Sequence, residues 1–301
     1  MTSSDRRASG CGPASFALVV TAACSAALGR LGAPSRRLER VNFRGRTVSL
    51  RGGVGVALGA VAAASAAGRA LHPPAAPRPA VEAIAAATAV TAAGVAGMID
   101  DLDAGAHDGD TPAKGLKGHL GALRRGNLTT GALKIGVIGA GALVAGGLLA
   151  GTRRHDRAAG AVVDAATRAV AIASWANVHN LLDLRPGRAL KAAALVATPL
   201  LADRRSRAAG SRALAAGALG VAAAALPEDL GETTMLGDTG ANALGALVGT
   251  ALATHPSGAL RALAAAVGTG LVLASEKVSF TRVIAGHRLL SALDNLGRRA
   301  R

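Results

Sequence analysis

Three groups of polar residues stand out in a chain otherwise built mainly from Ala, Val, Leu and Gly. The first, Asp100, Asp101 and Asp103, ends an apolar run, at the helix terminus whose dipole disfavours negative charge. Asp100 and Asp103 share a helical face, and Asp101 projects about 100° away. Carboxylates gathered around a helix mouth invite a hard cation, and Mg²⁺ commonly takes one or two carboxylates together with substrate phosphates and water. A solvated loop that merely ends a span is the plain alternative.

The second group, Asn177, Asn180 and Asp183, lies at helical spacing along one face. Such a stripe suits a sugar, a nucleotide or phosphate-bound water, and equally suits helix capping and interhelical hydrogen bonds. His179 lies off the stripe and has no second His or Cys at zinc-ligand spacing. The third group is Asp238 between Gly237 and Gly240, with Thr239, Asn242 and Gly245 following. Asp238 or Thr239 can N-cap the next helix, while the glycines permit close approach of a backbone or a phosphate. Lys114, Lys117, Arg124 and Arg125 occupy the glycine-containing loop after the first acidic group. Flexible cations there suit a diphosphate, though a solvated basic loop would look the same.

The elements that must position these groups follow from the composition. The chain has 301 residues, half of them apolar, with 40 Gly, three Phe, one Trp and no Tyr. Low charge and a mean hydropathy of +0.37 exclude a disordered chain. Two cysteines, Cys11 and Cys24, exclude a disulfide scaffold. Apolar blocks lie at 14–33, 50–70, 79–99, 130–151, 158–179, 188–202, 208–227, 240–254 and 257–275. Most have the ~20 residues that cross a ~30 Å hydrocarbon layer. The blocks at 188–202 and 240–254 are short, and that at 158–179 carries Asp164 and Arg168, spaced to pair on one helical face. The basic residues before 14–33 resemble a signal peptide, but the run is long for a signal core and is read as a retained span.

These blocks predict an all-α, polytopic membrane bundle of about nine helices, one domain over 1–301, with 276–301 a basic tail. Loops after the odd-numbered blocks hold nineteen Lys and Arg against ten on the opposite side. The positive-inside rule then puts the N-terminus outside and the C-terminus in the cytoplasm, although Arg153, Arg154, Arg157, Arg204, Arg205 and Arg207 run against it. All three polar groups follow odd-numbered blocks, so they meet at the cytoplasmic face. The formal charge of +16 fits anchoring on anionic lipid, and the scarcity of aromatics disfavours nucleic acid.

The order Asp-Asp, Lys-Gly-Leu (Lys114 to Leu116), Asn-x-x-Asn-Leu-x-Asp and Gly-Asp-Thr-Gly, spread over 97–245, resembles the polyprenyl-phosphate N-acetylhexosamine-1-phosphate transferase superfamily. Phospho-N-acetylmuramoyl-pentapeptide translocase is among its members. The resemblance implies transfer of a sugar 1-phosphate from a UDP-sugar to a membrane polyprenyl phosphate, with release of UMP. It implies Mg²⁺, or Mn²⁺ in its place, and a multi-pass enzyme of the plasma membrane serving cell-envelope glycan synthesis, with a homodimer as a candidate assembly. By position, Asp100 and Asp101 match the catalytic aspartate pair and Asp238, with Asp101, the metal site. Lys114, Asn177, Asn180 and Asp183 match the nucleotide-sugar pocket.

The chain departs from the family's pattern in lacking a tenth span and in three motifs. The loop after the ninth block offers His287 alone where the family has a histidine-rich motif, Leu184 replaces a glycine, and the first-loop motif is reduced to Ser49, Leu50, Arg51, Gly52 and Gly53. The resemblance therefore points to a divergent member with a different sugar. Two other classes meet the same residues: an intramembrane Mg²⁺-dependent prenyltransferase and a catalytically degenerate membrane scaffold.

Overall fold

The computed structural model describes residues 12–30, 36–70, 79–103, 118, 121, 122, 124, 126 and 129–299. Each apolar block forms a helix: α1 (Pro13–Arg30), α2 (Arg51–Ala70), α3 (Pro79–Asp103), α4 (Thr130–Ala150), α5 (Ala158–Leu182), α6 (Arg188–Ala202), α7 (Ala209–Leu230), α8 (Gly237–Thr254) and α9 (Gly258–Ser275). Five segments are long and apolar enough to cross a membrane: Pro13–Arg30, Ala80–Asp103, Thr130–Ala150, Ser206–Leu230 and Gly258–Ser275. The chain is thus a helical membrane protein. By the same measure Arg51–Ala67 is a shorter apolar helix, and α6 has only 15 residues.

Small side chains decide the packing. In α8 every residue except Asp238 is buried, because its run of Gly, Ala, Thr and Leu lets α2, α3, α5 and α7 close around it. The crossing with α5 is close: a Cβ on Gly245 would lie 2.7 Å from the Cα of Ala176 and one on Gly249 2.9 Å from that of Ile172. Gly55 and Gly59 serve the α1–α2 contact in the same way, against Thr21 and Ser25. Gly147 meets nothing, and the neighbouring Gly146 makes the approach to α5 instead. Small residues at membrane helix contacts permit this kind of close packing.

The fold is all-α apart from one short hairpin between α1 and α2 that the apolar blocks did not announce, in which β1 (Glu39–Val41) pairs antiparallel with β2 (Thr47–Ser49). Its turn is built by Asn42, whose Oδ1 accepts from the amides of Arg44 and Arg46, and by Gly45 at φ 75°. Ser49 then bonds the loop before α8, donating to Thr233 O at 3.3 Å and accepting from Met235 N at 3.0 Å. Each strand is only three residues long, and β1 carries Glu39 and Arg40, so neither offers a run in which alternation would announce it. Within the basic segment 276–301, α10 (Phe280–Gly286) and α11 (Arg288–Asn295) return to the start of α6. Arg188 grips Asp294 through two bonds of 2.8 and 2.9 Å.

At the end of the bundle holding the C-terminus of α8, charges pair off. Asp164 receives Arg168 Nε at 2.9 Å on one oxygen and Arg261 Nη2 at 2.8 Å on the other, so the pairing read from their spacing is present. Arg168 also donates to the Ala253 carbonyl, Arg261 to that of His255 at 2.9 Å, and Arg153 to that of Pro256 at 3.2 Å. Arg205 and His255 share Asp203. Two of the arginines that ran against the positive-inside rule, Arg153 and Arg205, thus bond to neighbouring groups at this end of the bundle.

Candidate functional site

At the other end, four helices bring their polar residues together. Asp100 from the last turn of α3, Lys134 from the first turns of α4, Asn180 from the last turn of α5 and Asp238 from the first turn of α8 converge. Lys134 Nζ donates to Asp100 Oδ2 at 2.5 Å and also to Asp238 Oδ2. Asn180 Nδ2 approaches the same Asp238 oxygen at 3.4 Å. The three charged side chains are 17–26 % exposed, enough for a ligand to reach them.

Asp101 has a different task. Its Oδ1 accepts from Asp238 N at 3.1 Å, and its Oδ2 accepts from Thr239 N at 2.8 Å and Thr239 Oγ1 at 2.6 Å. A carboxylate on the free amides of a helix N-terminus satisfies orphan donors and meets the positive end of the dipole. Neither Asp238 nor Thr239 caps α8 itself: the helix starts at Gly237, so both lie inside its first turn. The cap comes from α3. Gly97, one turn before Asp101, makes this possible, since a Cβ there would strike the Asp238 carbonyl and lie 2.6 Å from Thr239 N. Arg40 of the hairpin donates to the Asp101 carbonyl, placing a cation at the C-terminus of α3.

The polar stripe of α5 divides between three surroundings. Asn177 lines an apolar groove of about 420 Å³ with Lys134, Ile135, Ile138, Val170 and Val272, open between α4, α5 and α9. Asn180 reaches Asp238. Asp183, just past the end of α5, lines a separate cavity of about 230 Å³ with Phe43, Arg185, Asp229, Glu232 and Thr234. Burial, with Asp229, Asp238 and Asp101 nearby, pushes the Asp183 carboxyl well above the usual carboxylate range. The Arg185 guanidinium stacks on the Phe43 ring at 4.0 Å. His179 is buried in the core, its Nδ1 at 2.9 Å from the Trp175 carbonyl.

Lys114 and Lys117 lie outside the described residues, as does Arg125. The cation that the described residues bring to the carboxylates is Lys134, which sequence reasoning passed over. Its signal was a lone lysine in the first turns of an apolar 21-residue helix, where an unpaired charge is costly. Arg40 and Phe43 carried no such mark, because they belong to the hairpin that the sequence did not announce.

Among the described residues no group of three or more Asp, Glu, His or Cys side chains forms a cage for a metal ion. Asp100 and Asp238 nevertheless provide two hard oxygen donors bridged by one ammonium, a set that suits Mg²⁺ shared with a substrate phosphate. Asp101 spends both oxygens on α8.

No protein-family model matches the chain, and no curated protein matches it.

Proposed function

We propose that this protein transfers a sugar 1-phosphate from a UDP-sugar to a membrane polyprenyl phosphate at the cytoplasmic face of the plasma membrane, with α1 to α9 as its nine passes through the bilayer. The observation that carries this reading is the apolar groove between α4, α5 and α9 that runs to Lys134 and Asn177, beside the carboxylates of Asp100 and Asp238. An isoprenoid chain fits the groove while its phosphate meets the ammonium. The cavity by Asp183, Arg185 and Phe43 is a second polar compartment, suited to the nucleotide.

In the reaction an oxygen of the lipid phosphate attacks the sugar-bearing phosphorus of the UDP-sugar. A new P–O bond forms, the bond from that phosphorus to the UMP oxygen breaks, and lipid-diphosphate sugar and UMP result. Asp100 orients the lipid phosphate or takes its proton. Lys134 neutralises phosphate charge and is released from the two carboxylates as the phosphates arrive. Asp100 and Asp238 would hold Mg²⁺, which supplies charge neutralisation for the diphosphate. Asp101 is a positioning residue that fixes the first turn of α8, and with it Asp238.

The test is incubation of the purified protein with undecaprenyl phosphate, Mg²⁺ and a panel of UDP-sugars, with Asp238→Asn in parallel. UMP release that needs lipid and metal and is lost in the variant is the expected result. Consumption of a prenyl diphosphate instead would make the protein a prenyltransferase. Silence of the folded protein with every donor would leave a scaffold.

A further inference from the structure

The segment after α9 has an apolar side that the described residues leave uncovered. Leu289, Leu290, Leu293 and Leu296 are 63, 41, 50 and 66 % exposed. At 100° per residue Leu289, Leu293 and Leu296 fall on one face of α11, opposite Arg288, Ser291 and Asn295. Leu290, Leu293 and Leu296 line one wall of a groove of about 630 Å³, and Ala192, Leu195 and Pro199 of α6 line the other. Leu195 is itself 73 % exposed. Two apolar walls thus face each other across an open gap.

The gap is held open by polar anchors on its inner side. Lys191 Nζ donates to the carbonyls of Leu293, Asp294 and Leu296 at 3.2, 2.9 and 2.6 Å, capping α11 with a cation where its dipole is negative. Arg188 holds Asp294, and Arg298 donates to the Pro186 carbonyl at 2.9 Å. Arg188 stands at the start of α6, next to the 183–187 turn that carries Asp183. These contacts fix α11 at the end of the bundle where α6 begins, the end that holds the candidate site. Around the leucines, Lys277, Arg282, Arg288 and Arg299 are exposed, a charge that matches an anionic surface.

We infer that α10 and α11 form an interfacial clamp: the leucine face of α11 lies in the hydrocarbon edge of the bilayer, and the acyl chain of a membrane lipid fills the groove against α6. A helix with leucines on one face and basic residues around the other lies in the plane of the interface, its apolar side about 5–10 Å into the headgroup and acyl boundary. The clamp also gives the site a wall referenced to the membrane surface, since Arg298 touches the 183–187 turn and the Arg299 carbonyl accepts from Arg44 of the hairpin at 3.0 Å. This inference does not rest on the proposed reaction.

The test uses the full chain carrying Cys11→Ser and Cys24→Ser, in vesicles of equimolar phosphatidylglycerol and phosphatidylcholine. Single cysteines at exposed positions, Leu290→Cys, Leu293→Cys or Asn295→Cys, carry an environment-sensitive fluorophore. Lipid brominated on the acyl chain is expected to quench the Leu290 and Leu293 probes at least about threefold more than the Asn295 probe, because only the apolar face enters hydrocarbon. Aqueous iodide is expected to reverse that order. Equal quenching at all three positions, or leucine probes reached by iodide and not by bromolipid, would overturn the inference. Leucine probes shielded from both quenchers until the protein is diluted among excess vesicles would mean that a second copy covers the face, and would overturn it as well. Variants are compared only when they retain the unlabelled protein's elution and thermal unfolding, so failure to fold cannot imitate either result.

Discussion

Both ends of the helical bundle bury charge, but they do so in opposite ways. At the end carrying Asp164, the acid meets two arginines, one on each oxygen, and those arginines also donate to carbonyls at 253 and 255. Charge there is spent on fastening α5, α8 and α9 together. At the end carrying Asp238, two carboxylates share one ammonium, and an apolar groove opens beside them. Paired ions that close a structure and carboxylates that converge beside an opening are both costly in a low dielectric. In the first arrangement each oxygen of the acid already has its cation, and in the second two carboxylates share one ammonium, which is the reason the proposed chemistry is assigned to that end.

The largest test of that contrast is Asp238→Asn, which keeps shape and removes charge. Transfer measured as UMP release is expected to fall by about 10³-fold or more, within the range for loss of a charged catalytic group, while thermal unfolding stays near that of the unaltered protein. Arg168→Ala, at the opposite end, is expected to do the reverse. Removing one partner of a buried ion pair costs about 3–5 kcal/mol, to be read in unfolding, with the molecules that stay folded turning over normally. Adding Asp164→Ala should deepen that loss, because Asp164 still holds Arg261 and its removal orphans that guanidinium as well.

Gly97→Ala tests whether the close approach of α3 and α8 serves both properties at once. The methyl meets the Asp238 carbonyl and Thr239 amide, and overpacking of this kind costs about 1–3 kcal/mol, with UMP release falling alongside. Asp101→Ala is expected to cost about 1–2 kcal/mol for the lost cap and to slow transfer less than Asp238→Asn does. Asp101→Asn, whose single amide oxygen can accept at Thr239 while its Nδ2 cannot accept from Asp238 N, should restore part of both. Rate loss in Asp101→Asn as deep as in Asp238→Asn would mean that Asp101 touches substrate or metal and is more than a cap.

The smallest effect concerns pH. Burial alone would raise Asp294, but its bonds to Arg188 and Arg298 hold it below the ordinary carboxylate value. Its folded pKa therefore lies under its unfolded one, so the clamp's contribution is complete above the ordinary value and is lost as pH falls through the lowered one. Acid unfolding of Asp294→Asn should show a shallower dependence in that window, with the curves running parallel near neutrality.

Much of this site was legible beforehand because membrane helices make charge conspicuous. Asp100, Asp101 and Asp238 each lie at the end of an apolar block, where an acid is either a stop signal or a site, and block order alone puts them at one end of the bundle. The division of labour among them was not legible. Asp100 and Asp101 are adjacent and chemically identical, and only the rotation of α3 against α8 gives the first to Lys134 and the second to backbone amides. Lys134 was overlooked because its partners are 34 and 104 residues away, with nothing local to pair it. The stripe at Asn177, Asn180 and Asp183 has a common face on paper, yet its members meet a groove, a carboxylate and a cavity, because the helices around α5 end at different heights.

By itself the sequence determined that each of its nine apolar blocks is helical and that the acids gather at one end, since block hydrophobicity and the cost of stranded charge are local properties of the chain. Tertiary structure alone decided which acid caps a helix and which faces the opening, that Lys134 is the cation between them, and that the basic tail folds back onto α6. Each of those outcomes depends on groups far apart in sequence reaching hydrogen-bond distance, which periodicity and composition do not encode.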